Sequence, residues 1–203
     1  MQTIVENQGL LGLGLVALLA LGVAGYYFWR QNLASQHQRH VATVIQGLGV
    51  DYLRDVVIPD GIDGLAFIDY LLLTPKGLIV LDIKHQDGVL FGGVAVDQWT
   101  QVISGKTYKF PNPLYLNQNH RQAVEWNTKD IDVFGQVVFS NAGQFPKGIP
   151  EGCSMIDELA TDLSLLLDSG NAVNPVIQQA WQRLRELSIT TRASLGRHHS
   201  AVA

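Results

Sequence analysis

One cysteine and a shortage of positive charge set the first limits on this 203-residue chain. A single thiol, Cys153, can close no intrachain disulfide, so nothing in the chain demands an oxidising compartment. It stands in the loop-like stretch Pro150-Glu151-Gly152-Cys153 with no adjacent His to activate it, so it is read as inert. Lys and Arg number 14 against 18 Asp and Glu, and a net charge of −4 excludes a strong non-specific grip on nucleic acid through overall charge. A local basic patch is not excluded. No internal repeat is present, which argues against a solenoid or an array.

Charge is also missing from one place in particular. Asn7 to Trp29 contains no charged side chain, and Leu10–Phe28 is almost wholly Leu, Ala, Val and Gly. About 20 apolar helical residues cross a hydrocarbon core roughly 30 Å thick. Tyr26, Tyr27 and Trp29 stand where an interfacial aromatic belt belongs. A cleaved signal peptide would carry positive charge ahead of its apolar run, yet only Glu6 precedes this one, and Arg30 and Arg39 follow it. The expected organisation is therefore a short extracytoplasmic N-terminus (1–8), a transmembrane helix (9–29), a domain in the cytoplasm (30–189) and a flexible tail (190–203), with the lipid bilayer as a partner. Ala20 and Ala24 form a small-xxx-small pair that would allow a homo-oligomer. Gly12-Leu13-Gly14 lies inside the span and is set aside as a nucleotide loop.

Beyond the span, Val41, Val44, Ile45 and Leu48 recur at helical spacing. Tyr52–Pro59, Ala66–Thr74 and Leu78–Lys84 read as strands, the last two joined by the turn Thr74-Pro75-Lys76-Gly77. A Gly-rich stretch from Asp87 to Gly93 follows, then Val94–Val96. A helix is expected over Tyr115–Trp126, a short strand over Gly135–Phe139 and a helix over Ile156–Leu167. A last helix is expected at Val176–Leu187, capped by Asn174 with Pro175 at its first position. The fold class is α/β, a mixed central β-sheet flanked by helices and preceded by one transmembrane helix.

The strand pair Ala66–Thr74 and Leu78–Lys84 carries three exceptions to its apolar pattern: Asp69, Asp82 and Lys84. A charge in a sheet core is costly unless paired or used. If Thr74 pairs with Gly77, partners sum to 151 and Asp69 falls opposite Asp82, with Lys84 two residues on and on the same face. Two such carboxylates repel unless a cation lies between them, which points to a Mg²⁺ or Mn²⁺ site with an ammonium beside it. The bland alternative is a local Asp82–Lys84 ion pair with Asp69 solvated at an edge, and a bulge at Gly77 would shift the register by one. His37 and His40 are helix neighbours without a third metal ligand, and His85 and His120 are candidate substrate contacts or surface polar residues.

Ile68-Asp69, the Thr74–Gly77 turn and Val80-Leu81-Asp82-Ile83-Lys84 followed by Gly88 resemble the nuclease-related domain (NERD) family. So do Trp99, Phe110-Pro111-Asn112-Pro113-Leu114 and the Gln/Asn/His-bearing helix start. The resemblance covers roughly residues 36–145. It implies a PD-(D/E)xK nuclease-like, restriction-endonuclease-like core in which Asp69 and Asp82 ligate a divalent metal and Lys84 is catalytic. The implied reaction is hydrolysis of phosphodiesters in DNA or RNA. Two positions depart from the family pattern. Gln38 stands where a Glu is usual, and Leu116 where a Gln is usual, leaving Gln118 as the nearest substitute. Both amides are expected to support the site. A neutral Gln38 is a poorer ligand for a hard cation, so the alternative is a degraded module that binds nucleic acid or protein at the membrane.

Overall fold

The computed structural model describes residues 39–167 and 172–200, with side chains described as far as Arg192. The expected extracytoplasmic segment, the transmembrane helix, His37 and Gln38 lie outside the described residues. Among the described residues, no helix is long and apolar enough to cross a membrane. The chain divides into two units between Ala42 and Thr43, and both sheets belong to the second.

Residues 39–46 are helical (α1), and Ile45 and Leu48 are buried, as their spacing predicts. Three strands follow: β1 (Asp51–Pro59), β2 (Leu65–Thr74) and β3 (Gly77–Lys84). They pair antiparallel in the order β1-β2-β3, and β3 then pairs in parallel with β7 (Val133–Phe139), which pairs in parallel with β9 (Cys153–Met155). Leu71, Leu72, Leu78, Ile79, Val80 and Leu81 are fully buried because β2 and β3 are interior strands covered on both faces, which explains their near-continuous apolar runs. The sheet is mixed, as expected.

The β2–β3 register is fixed at its turn. Thr74 pairs with Gly77, and partners run through Leu73–Leu78 and Leu71–Val80 to Tyr70–Leu81 without the shift a bulge would cause. Thr74 Oγ1 donates to the Gly77 carbonyl at 3.0 Å and accepts from Lys76 N at 3.3 Å, holding the corner closed. Gly77 has a φ of 146°, and a Cβ there would meet the Asp132 carbonyl oxygen at 2.2 Å. No other residue fits that corner.

A parallel β3–β7 pair needs a long crossover, and here it carries three of the four strands of a second sheet that the sequence did not announce. The strands β4 (Gly88–Phe91), β5 (Gln98–Ile103), β6 (Lys106–Pro111) and β8 (Gly143–Gln144) lie in the order β6-β5-β4-β8. The region read only as a Gly-rich stretch thus begins with a strand. Ser104 and Gly105 both have positive φ and make the two-residue β5–β6 turn, a geometry that matches strand twist. Trp99 of β5 fixes this sheet to the first by stacking on Phe139 at 5.9 Å between centroids.

The helix α2 (Pro113–Thr128) starts two residues before the expected Tyr115. Asn112 caps it, accepting from Leu114 N at 3.0 Å while its amide donates to the Val96 carbonyl at 2.8 Å. The Asn-Pro-Leu block is therefore a helix start tied to the preceding loop. Two other expectations are corrected. Ile156–Leu167 is not one helix: Ile156 N still donates to the Phe139 carbonyl, and two single turns follow, α3 (Leu159–Asp162) and α4 (Ser164–Leu167). The last helix, α5 (Pro175–Ser200), runs well past Leu187, so the residues read as a flexible tail are helical as far as Ser200. Its N-cap is as expected, with Val176 N donating to Asn174 Oδ1 at 2.9 Å. Val124 of α2 and Trp181 and Leu184 of α5 share a core with Val56, Ile68, Leu71, Leu78 and Val80.

Candidate functional site

The register that buries β2 and β3 also decides where their charges end up. The β2–β3 ladder stops at Tyr70–Leu81, one step before Asp69 would face Asp82, and the β1–β2 ladder skips the pair Asp55–Asp69. Asp55 carries a φ of 51°, an unusual conformation for a residue with a side chain. Asp69 is thus released from regular pairing on both sides. Its Oδ2 instead accepts from Ile83 N at 2.7 Å, so the carboxylate takes the place of a ladder carbonyl beside the Asp82–Lys84 segment.

Asp82 is buried, only 1% exposed, and both of its oxygens are engaged. Asn117 Nδ2 donates to Oδ2 at 2.8 Å, and His120 Nδ1 lies 2.8 Å from Oδ1. An ionised Asp82 is an acceptor only, so it takes a proton-bearing Nδ1 as donor. Asn117 and His120 stand three apart on α2 and so share a helix face. Gly135 makes room for Asn117: a Cβ there would meet its Oδ1 at 2.2 Å. Lys84 is half-buried, and its alternation along β3 puts it on the Asp82 face, with Phe139 of β7 as its register partner.

The charges of this group act on one another. Burial, and then the neighbouring Asp82 charge, push the Asp69 carboxyl above its ordinary range. The Ile83 N–H, Lys84 and His120 pull it back, and burial prevails. Asp69, Asp82, Lys84 and His120 therefore form one electrostatic cluster at the end of the hairpin. Among the described residues, no three His, Cys, Asp or Glu side chains are arranged to hold a metal by themselves. Mg²⁺ does not need such a cage, because it keeps several waters and binds through one or two carboxylates. A pair of carboxylates in which the Asp82 charge disfavours that of Asp69 fits that cation, and each hydrogen-bonded oxygen of Asp82 keeps a second lone pair.

Sequence alone left His120 as a candidate substrate contact or surface polar residue and passed over Asn117. His120 is not a surface residue: it and Asn117 are buried against Asp82. Their spacing on the helix after Asn112-Pro113 was the available signal, together with a glycine inside β7. Gln118 is exposed and lines a pocket of about 270 Å³ with Leu114, Asn117, Arg121 and Gly135. It is Asn117, one residue earlier, that reaches Asp82. His85 is exposed. Cys153 opens β9 rather than lying in a loop, and burial pushes its thiol up to about 12, in keeping with an inert role.

A stretch of 59 residues is 34% identical to an uncharacterized protein of Bacillus anthracis, covering 29% of this chain and 28% of that one. The chain thus matches well under a third of that relative's length. No solved structure matches. The family of nuclease-related domains matches residues 30–140, more than half of the 203 residues and the whole of the β2–β3 hairpin with Asn117 and His120. The chain belongs to the nuclease-related domain (NERD) family.

Proposed function

We propose that this protein hydrolyses phosphodiester bonds of DNA or RNA with the help of a divalent metal ion. The observation that carries the reading is the meeting of Asp69, Asp82 and Lys84 at one end of a hairpin whose β2–β3 ladder stops one step before Asp69 and Asp82. Asp69 and Asp82 would hold Mg²⁺ or Mn²⁺, which when bound supplies charge stabilisation at the scissile phosphate. Asn117 and His120 fix the direction of the Asp82 carboxylate, and Lys84 places an ammonium where an attacking water or a departing oxygen would carry charge. The apolar segment 9–29 is proposed to hold this centre at the cytoplasmic face of a membrane. Alkaline washing of membranes containing the full chain should leave it in the pellet, and release into the wash would refute the anchor.

One observation favours a second reading. Asp82 has a partner on each oxygen and is almost wholly enclosed, which suits a binding module that no longer takes metal. Calorimetric titration of the full chain with Mn²⁺ separates the two. Binding that Asp82→Asn abolishes supports the metal-dependent reading, whereas the absence of binding supports the second.

A further inference from the structure

The family match ends at residue 140, yet α5 brings a cation to the edge of the same site. Ser188 Oγ accepts from Val57 N at 3.1 Å, fixing α5 on the edge strand β1, and Arg192 follows one turn later on the same helix face. Arg192 donates to the carbonyl of Asp55, the residue opposite Asp69 where the β1–β2 ladder is interrupted. Arg192 and Asp69 line one pocket of about 170 Å³ together with Asp55, Val56, Val57, Phe67 and Ile68. Arg54 Nε ion-pairs with Asp55 Oδ2 at 3.2 Å. Arg192 meets a neutral carbonyl, which leaves further N–H donors of its guanidinium for an anion. Phe67, two residues before Asp69 on β2, is 60% exposed and offers its ring at this pocket.

We infer that this pocket is a nucleotide subsite beside the catalytic centre, with a backbone phosphate held by Arg192 and the attached base stacked on Phe67. The inference rests on the hydrolytic reading for its ligand class. Guanidinium plus an exposed ring is the combination that grips a single strand without reading its sequence. The volume of this half-open pocket suits a phosphate group, and the base lies at its rim.

The test is fluorescence anisotropy of a labelled single-stranded oligonucleotide with the full chain carrying Lys84→Ala, in Mg²⁺, with thermal unfolding to verify that each added variant is folded. Arg192→Ala should weaken binding by roughly tenfold and reduce the magnitude of the slope of log K against log salt by about 0.7. Phe67→Ala should weaken it by roughly tenfold, Phe67→Trp should retain it, and an abasic strand should be insensitive to Phe67→Ala. Unchanged affinity and slope in Arg192→Ala, an equal Phe67→Ala loss on the abasic strand, or no binding by the parent protein would each overturn the subsite. Binding that depends on Arg192, in a chain whose wild type cuts nothing, would keep the subsite and refute the hydrolytic reading. Cutting that Arg192→Ala leaves untouched would do the reverse.

Discussion

At the scale of single residues, Asp69 carries the clearest thermodynamic signature. Its carboxyl is raised above the ordinary value of 3.8, chiefly by burial, so the folded protein favours the protonated form. Stability from this group is fully present below the unfolded value and is lost as pH rises through the folded value. Asp69→Asn keeps an oxygen to accept from Ile83 N and carries no charge. The variant should therefore match the wild type below about pH 4 and become the more stable of the two towards neutrality. Thermal unfolding across that range checks this, and a variant less stable at pH 7 than at pH 4 relative to wild type would contradict it. Asn117 is the opposite case, a neutral group satisfying a buried charge. Asn117→Leu removes one partner of Asp82 and should cost about 1–3 kcal/mol in denaturant unfolding. A change within about 0.5 kcal/mol, the range of surface substitutions, would mean that Asp82 does not depend on it.

At the scale of elements, the β2–β3 hairpin was the most legible part of the chain. Two apolar runs and a Thr-Pro-Lys-Gly corner leave two registers, with or without a bulge at Gly77, and the structure takes the unbulged one from Thr74–Gly77 to Tyr70–Leu81. Gly77→Ala should cost at least roughly 1–3 kcal/mol in chemical unfolding, because its φ is positive and its Cβ would strike Asp132. A neutral result would show that the corner does not set the register. The second sheet was not legible. Its strands are short, and β6 is mostly exposed, so hydrophobic alternation carried little signal there. The Ser104-Gly105 turn was the mark that could have been used. Ile156–Leu167 has the apolar content of one helix, but the N–H of its first residue bonds to the Phe139 carbonyl at the end of the sheet that Cys153–Met155 joins, and tertiary pairing overrode local preference. At the site, Asp69, Asp82 and Lys84 stood out because charge interrupts an apolar strand. Asn117 and His120 did not, since polar residues on a helix are the ordinary case and only the packing of α2 on β3 and β7 shows which face is buried.

At the scale of the molecule, a chain with net charge −4 must hold a polyanion locally rather than by its overall field. Lys84 and Arg192 lie on either side of Asp69 and supply that local charge, and the proposed anchor would restrict approach to one face of a bilayer. If these parts make a metal-dependent phosphodiesterase, the purified full chain cuts labelled DNA or RNA. Strand cleavage should appear with Mg²⁺ or Mn²⁺, vanish in EDTA, and fall by roughly 10²–10³ in Lys84→Ala while the fold of that variant is unchanged. Equal cleavage by wild type and Lys84→Ala, or no cleavage by the wild type with either metal on either nucleic acid, would contradict the hydrolytic reading.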